Sequence, residues 1–136
     1  MTAQHRLIEI ICNAIEIGAN DIHFMLENNG LVLIQLRTGN LMVPYLQITP
    51  ENYKQILDYI ELHTTFETFS KGQMQMGIVT LNDNRNVLEC FVSILPITKF
   101  KSLVLRLNKS PNKKNKNLRR YLENLPSGLI EAIILK

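Results

Sequence analysis

The stretch Ala19-Asn20-Asp21-Ile22-His23-Phe24 joins two segments of different periodicity and decides how the chain folds. Upstream of it, apolar residues recur every three or four positions as far as Gly18, which favours a helix over residues 2–18. The isoleucine content of this segment would also suit a strand. Inside it the period changes to two, because apolar and more polar residues alternate as they do in a strand. We therefore expect Asp21 and His23 to lie at the joint between a helix and a strand.

Two turn signals follow this first strand and indicate an antiparallel meander. Asn28-Asn29-Gly30 contains residues that accept the backbone angles of a tight hairpin, so we expect a return strand over Leu31–Arg37. Thr38-Gly39-Asn40 predicts a second turn. We expect only a short strand after it, over Leu41–Val43, because Pro44 lacks the N–H that a central strand would donate.

A second helix is predicted to begin at Thr49-Pro50. A hydroxyl side chain there can cap the helix, and proline suits the first helical position. The pattern ends at His63-Thr64-Thr65. The buried face of this helix is expected to consist of Tyr53, Ile56, Leu57 and Ile60.

The segment after the second helix returns to a period of two and predicts three more strands. Met74 and Met76 share one side of the first of these, and we interpret them as core residues. The next strand is expected over residues 86–95 and the last over Ser102–Leu107. The inward residues of the middle strand are expected to be Leu88, Cys90, Val92 and Ile94.

These elements predict an α+β domain over residues 1–108, with an antiparallel or mixed sheet packed by two helices. Residues 109–117 are polar and lysine-rich, which predicts a basic linker. Its lysines fit a solvated spacer. The alternative, nucleic-acid binding, lacks the aromatic platform that usually accompanies it. Residues 118–136 are expected to begin a further, incomplete segment.

Composition and charge argue against several classes of protein. The net charge of +3 comes largely from the linker, so a nucleic-acid partner is not indicated. Cys12 and Cys90 lie in apolar runs and in no C-x-x-C pair, which predicts buried thiols in a reducing compartment and no metal site. Glu9 and Glu16 interrupt the apolar residues of the N-terminus, so we expect neither a signal peptide nor a membrane span. These features predict a cytoplasmic protein.

Four residues are candidates for a functional site. Asp21 and His23 would project to one face of a strand and could act together, or Asp21 could cap backbone amides while His23 is hydrogen-bonded in a turn. Arg106 lies in an otherwise apolar strand, which predicts either an ion pair or an anion site in a cleft. Arg37 ends a strand beside a glycine turn, where it could face a phosphate or remain an ordinary surface residue.

The order of several short motifs resembles the traffic ATPases that drive type II secretion, type IV pilus assembly and the DNA-uptake competence pseudopilus. Residues 19–24 resemble the Ala-Ser-Asp-Ile-His signature of that family. The motifs that follow in the family's order are Arg37-Thr38-Gly39, Gln75-Met76-Gly77, Val92-Ser93-Ile94-Leu95-Pro96 and Val104-Leu105-Arg106-Leu107. The resemblance covers roughly residues 3–108 and is greatest to the competence branch.

This resemblance implies a PAS-like domain that precedes a P-loop motor core and supplies arginines to nucleotide phosphates. Arg37 and Arg106 fall on such positions and would make accessory phosphate contacts. The third position is occupied by Phe91, which cannot contact a phosphate in that way. Asp21 and His23 would belong to a structural motif.

The resemblance extends to the end of the sequence. Residues 126–130, Pro-Ser-Gly-Leu-Ile, resemble the strand that leads into the P-loop of the family. The sequence contains no G-x-x-x-x-G-K-[ST], so we expect a motor protein truncated before that motif and inactive by itself. ATP and Mg²⁺ are implied only for a full-length family member, and we expect no cofactor and no enzymatic activity in this chain.

Two functions are therefore expected from the sequence. The first is a nucleotide-clamping and assembly domain of a secretion or competence-pilus ATPase. Its implied partners are the subunits of a hexameric ATPase and the inner-membrane platform protein. The alternative is a free-standing interaction domain that docks on a full-length ATPase or on the membrane platform of the same machinery.

Overall fold

Seven strands and two helices make up the residues that the computed structural model describes, which are 2–67, 74–83, 86–97 and 99–108. In chain order they are α1 (Ala3–Ile17), β1 (Asp21–Leu26), β2 (Val32–Thr38), β3 (Leu41–Ile48), α2 (Pro50–His63), β4 (Thr64–Phe66), β5 (Gln75–Asp83), β6 (Asn86–Ile97) and β7 (Phe100–Leu107). The basic linker and the C-terminal segment predicted over 109–136 lie outside the described residues.

Helix α1 begins and ends at the residues that the sequence indicates. The hydroxyl of Thr2 accepts a hydrogen bond from the backbone N–H of His5 at 3.1 Å, which satisfies one unpaired donor of the first turn. Gly18 adopts a left-handed φ of 88°, which glycine accepts without steric strain, and its N–H donates back to the last turn. The helix predicted over residues 2–18 is therefore confirmed.

Helix α2 also follows the sequence prediction. Thr49 caps it by accepting from the N–H of Asn52 at 3.2 Å, and Pro50 occupies the first turn. Its buried residues are Tyr53, Ile56, Leu57 and Ile60, the four that were predicted. Thr64 follows the helix and begins β4, a three-residue strand that was not predicted from the sequence.

The strands form one sheet in the order β3-β2-β1-β7-β6-β5-β4, and every neighbouring pair is antiparallel. This confirms the α+β prediction and selects the antiparallel alternative. β1 and β7 are far apart in the chain but adjacent in the sheet, where Asp21 pairs with Arg106. The two motifs that carry the candidate residues therefore meet near the centre of the sheet.

Both helices pack on one face of the sheet. Alternate residues of β1, β6 and β7 join the apolar faces of α1 and α2 in a single core, and the inward residues predicted for the middle strand are all buried. Each buried leucine or isoleucine contributes roughly 1.5–3 kcal/mol relative to an exposed one. Cys12 and Cys90 are buried thiols in this core, and burial raises the pKa of Cys90 to about 12. We call the opposite side of the sheet, which neither helix covers, the open face.

Two sequence predictions about strands are wrong. Met74 and Met76 are exposed, because Val79 and Leu81 take the core-facing phase of β5 and pair with inward residues of β6. β3 continues past Pro44 to Ile48, because it is an edge strand in which the missing proline N–H breaks no ladder. Its register with β2 shifts next to Pro44, which is typical of a bulge.

Within the described residues, neither helix has both the length and the apolar character needed to cross a membrane.

Candidate functional site

The two candidate arginines flank one aspartate on neighbouring strands of the sheet. Asp21 on β1 lies directly opposite Arg37 on β2 and directly opposite Arg106 on β7. Directly opposed residues of antiparallel strands project to the same face. All three side chains therefore reach the open face in a row across the centre of the sheet, and we call them the Asp21 cluster.

Both arginines donate hydrogen bonds to the Asp21 carboxylate. Nε of Arg37 donates to Oδ2, and Nε of Arg106 donates to Oδ1 at 3.3 Å, so each carboxylate oxygen accepts one guanidinium. Nη1 of Arg37 also donates to the carbonyl oxygen of Gly39 at 2.7 Å. The Gly39 turn that follows β2 thus fixes the outer end of the same guanidinium.

Burial differs strongly within the Asp21 cluster. Asp21 is 3% exposed, whereas the side chains of Arg37 and Arg106 are 33% and 67% exposed. The carboxylate is therefore almost completely buried, although both of its partners are partly exposed. The guanidinium of Arg106 remains accessible to solvent, and its Nη atoms have no partner among the described residues.

The charges of the cluster influence one another. Burial favours the neutral acid, but the hydrogen bonds and positive charges of Arg37 and Arg106 outweigh it and hold the pKa of Asp21 below its ordinary value. The hydrogen bond to Asp21 likewise raises the pKa of Arg37. At neutral pH the three residues carry a net charge of +1.

His23 lies on the same strand and face as Asp21 but outside hydrogen-bond range. Its Nε2 is 3.8 Å from Oδ2 of Asp21 and has no hydrogen-bond partner in the described part of the chain. The second interpretation of this pair, in which Asp21 caps backbone amides and His23 is hydrogen-bonded in a turn, is wrong. Asp21 accepts from arginine side chains and does not cap backbone amides, and His23 lies inside β1, opposite Gln35 and Val104, and not in a turn.

Phe91 extends the row of the Asp21 cluster onto β6, where it lies directly opposite Arg106. It is 47% exposed, and Ile78 lies opposite it on β5. Other large apolar residues of the open face are also exposed. We call this set, with Phe91 and Ile78, the apolar patch; its further members are Met25, Met42, Met76 and Leu95.

A cavity of about 300 Å³ lies beside His23, where β1 and β7 separate. Their pairing ends at Phe24 and Leu103, although β1 continues to Leu26. The remaining lining is largely apolar. It is formed by Met25, Ile97, Phe100, Ser102 and Val104.

The sequence predicted that Arg37 and Arg106 contact phosphates, but it did not predict that both bind Asp21. The pairing of Asp21 with Arg37 was predictable. Asp21 and Arg37 are equally distant from Asn29 in the predicted hairpin, which makes them cross-strand partners. The pairing of Asp21 with Arg106 depends on how β1 pairs with β7, and the local sequence carries no signal for that register.

Among the described residues, no three His, Cys, Asp or Glu side chains are grouped closely enough to hold a metal ion.

Of three comparisons with known proteins, only the search of solved structures finds similar proteins. No protein-family model matches the sequence, and the search of curated proteins finds no significant match. The solved structures that match include the X-ray structure of the ATPase DotB from Legionella pneumophila, with 15% sequence identity and a TM-score of 0.46. The alignment covers 98% of this chain and 35% of the DotB chain, so this chain spans about a third of that protein's length. A likeness at this level carries no assignment of activity.

Proposed function

We propose that this chain is the domain preceding the motor core of a traffic ATPase, and that Arg37 and Arg106 contact nucleotide phosphates bound by a motor domain. The observation that supports this proposal most strongly is the Asp21 cluster. Two arginines singled out by separate motifs lie on either side of one carboxylate, on the same face of the sheet.

The cluster has the chemistry that an accessory phosphate site requires. Its net positive charge attracts anions, and the planar guanidinium matches the geometry of phosphate oxygens. Arg106 is the more accessible of the two arginines and presents its Nη atoms to solvent. Arg37 is held closer to the sheet by Asp21 and Gly39. An incoming phosphate would therefore meet Arg106 first.

The proposal gives the arginines an auxiliary role. They would stabilise charge on a phosphoryl group, but transfer also needs a phosphate-binding loop, Mg²⁺ and a positioned water, which the motor domain supplies in P-loop enzymes. We therefore expect no ATP turnover from this chain alone. Within the proposal, it acts in the cytoplasm with subunits of a hexameric ATPase and an inner-membrane platform protein. The competence pseudopilus is its proposed system.

Binding of pyrophosphate, which has the charge and oxygen geometry of the nucleotide tail, tests the phosphate contacts. The wild-type chain is expected to bind it weakly, with a dissociation constant on the order of 1 mM. The double variant Arg37→Gln, Arg106→Gln should lose this binding. A matched control, Arg6→Gln on α1, removes an arginine outside the cluster and should retain it. Equal binding by the wild type and the double variant would overturn the proposal, and so would ATP hydrolysis by the purified chain.

The apolar patch favours a second function, an interaction domain that docks on a full-length ATPase of the same machinery. The patch includes Phe91, directly opposite Arg106, so a protein that carried a bound nucleotide to the arginines would also contact the patch. Phe91→Ser and Ile78→Ser should weaken co-purification with the purified ATPase. Leu62→Ser, at an exposed position of α2, is the control. Unchanged co-purification of the patch variants would contradict this second function.

A further inference from the structure

We infer that Asp21 is an internal competitor for the phosphate: its carboxylate occupies the hydrogen-bonding edges of Arg37 and Arg106 that an incoming phosphate would use, and a bound phosphate displaces it. This inference rests on the proposed function and adds to it a means of regulation. In the absence of nucleotide, the two arginines are engaged by the protein's own anion. They become fully available only when a polyphosphate with greater charge replaces that anion.

The arrangement of the hydrogen bonds leads to this inference. A guanidinium can hold an anion with two parallel hydrogen bonds along either of two edges, and Nε belongs to one of them. Both arginines direct Nε to Asp21. Arg37 also uses Nη1 for Gly39, so each of its edges already includes a nitrogen that is bonded to the protein. Of the two arginines, only Arg106 retains an edge whose two nitrogens have no hydrogen-bond partner among the described residues.

The position of the carboxylate supports the same conclusion. Asp21 lies between the two arginines in the cross-strand row and is almost completely buried. An anion that bridged both guanidiniums would have to approach the place where Asp21 is bound. Two negative groups at that place repel each other, so tight bridging of a phosphate requires the carboxylate to give up its hydrogen bonds.

A competitor and a purely positioning residue have opposite consequences when the charge is removed. If Asp21 only orients the arginines, replacing it loosens them and weakens phosphate binding. If it competes, its removal leaves two uncompensated guanidiniums and strengthens binding. Asp21→Asn keeps the shape and one oxygen acceptor but removes the charge. We expect this variant to bind pyrophosphate about tenfold more tightly than the wild type.

The control is Asp58→Asn, which makes the same charge change at an exposed residue paired with Lys54. It should leave the affinity within about twofold of wild type. Adding Arg37→Gln and Arg106→Gln to the Asp21→Asn chain should abolish the gain. If Asp21→Asn binds no more tightly than Asp58→Asn, while wild-type binding still depends on the arginines, the inference is overturned and the proposed function stands. If binding is independent of the arginines in every variant, both fail.

A measurement on the wild-type chain covers the case in which Asp21→Asn does not fold. Addition of pyrophosphate should move the side-chain carboxyl carbon resonance of Asp21, because that group loses two hydrogen-bond donors. The corresponding resonance of Asp58 should stay in place. Movement of the Arg37 and Arg106 signals without movement of Asp21 would show that phosphate binds beside the carboxylate without displacing it, and this result would overturn the inference.

Discussion

At the scale of the residue, the site depends on the buried carboxylate of Asp21, which accepts hydrogen bonds from two guanidinium groups. Loss of an arginine would leave the buried carboxylate poorly solvated, whereas in the intact cluster each of its oxygens accepts a hydrogen bond. Asp21 therefore has two consequences that can be measured separately. It contributes to stability through its ionised form, and it determines how much of each arginine is available to an anion.

Acid should weaken the fold through Asp21. The pKa of this group is lowered by Arg37 and Arg106 despite burial, so the unfolded chain binds its proton more tightly than the folded chain. The stability that it contributes is complete above its ordinary pKa of about 3.9 and declines as the pH falls through the lowered value. Asp21→Asn should lose about 1 kcal/mol at pH 7.

Urea unfolding from pH 2 to pH 7 measures this effect. The difference in unfolding free energy between wild type and Asp21→Asn should shrink as the solution becomes acidic. The Asp58→Asn control lies far from the cluster and should differ little from wild type across the range. A constant difference between wild type and Asp21→Asn at all pH values would show that the charge of Asp21 does not stabilise the fold.

Phe91 offers a gain-of-function prediction at the same scale. It lies opposite Arg106 on the open face, at the position where the resembled family has a third arginine. Phe91→Arg should place another positive charge beside the cluster and tighten pyrophosphate binding about fivefold. Val87→Arg adds the same charge elsewhere on β6, and its effect should be smaller. Equal effects of the two substitutions would indicate general attraction and no defined site.

At the scale of the element, the sequence predicted the helices better than it predicted the strands. The end of α1 at Gly18 and the start of α2 at Thr49 were predicted, because these residues satisfy unpaired backbone groups locally. The exposed face of β5 was not predicted. An alternating pattern fits either phase, and the choice is made by the pairing of Val79 with Cys90 on β6. A short element such as β4 carries too few residues for any periodicity.

Gly77 allows β4 to approach β5 closely, because it has no side chain. A Cβ at this position would overlap the carbonyl oxygen of Thr65 and lie 2.7 Å from Cγ2 of Thr64. Gly77→Ala should therefore destabilise the domain by about 1–3 kcal/mol. Thr80→Ala on the same strand should change the stability by less than about 1 kcal/mol. Unfolding in urea compares the two, and a Gly77→Ala chain as stable as wild type would show that β4 does not need this approach.

At the scale of the whole molecule, the proposed function depends on a sheet with one covered face. The helices cover the core side of the sheet, so the Asp21 cluster and the apolar patch both lie on the open face. The sequence predicted the α+β class, both helices and the two arginines. It did not predict the row, because Asp21 and Arg106 become neighbours only through long-range pairing of two central strands.

The most direct test of the central claim follows the arginine side chains themselves. The Nε–H signals of a ¹⁵N-labelled chain can be recorded during a pyrophosphate titration. The signals of Arg37 and Arg106 should move together with one dissociation constant, because both belong to the same cluster, while that of Arg6 on α1 stays fixed. Signals that do not move, or that move with two unrelated constants, would contradict a shared phosphate site.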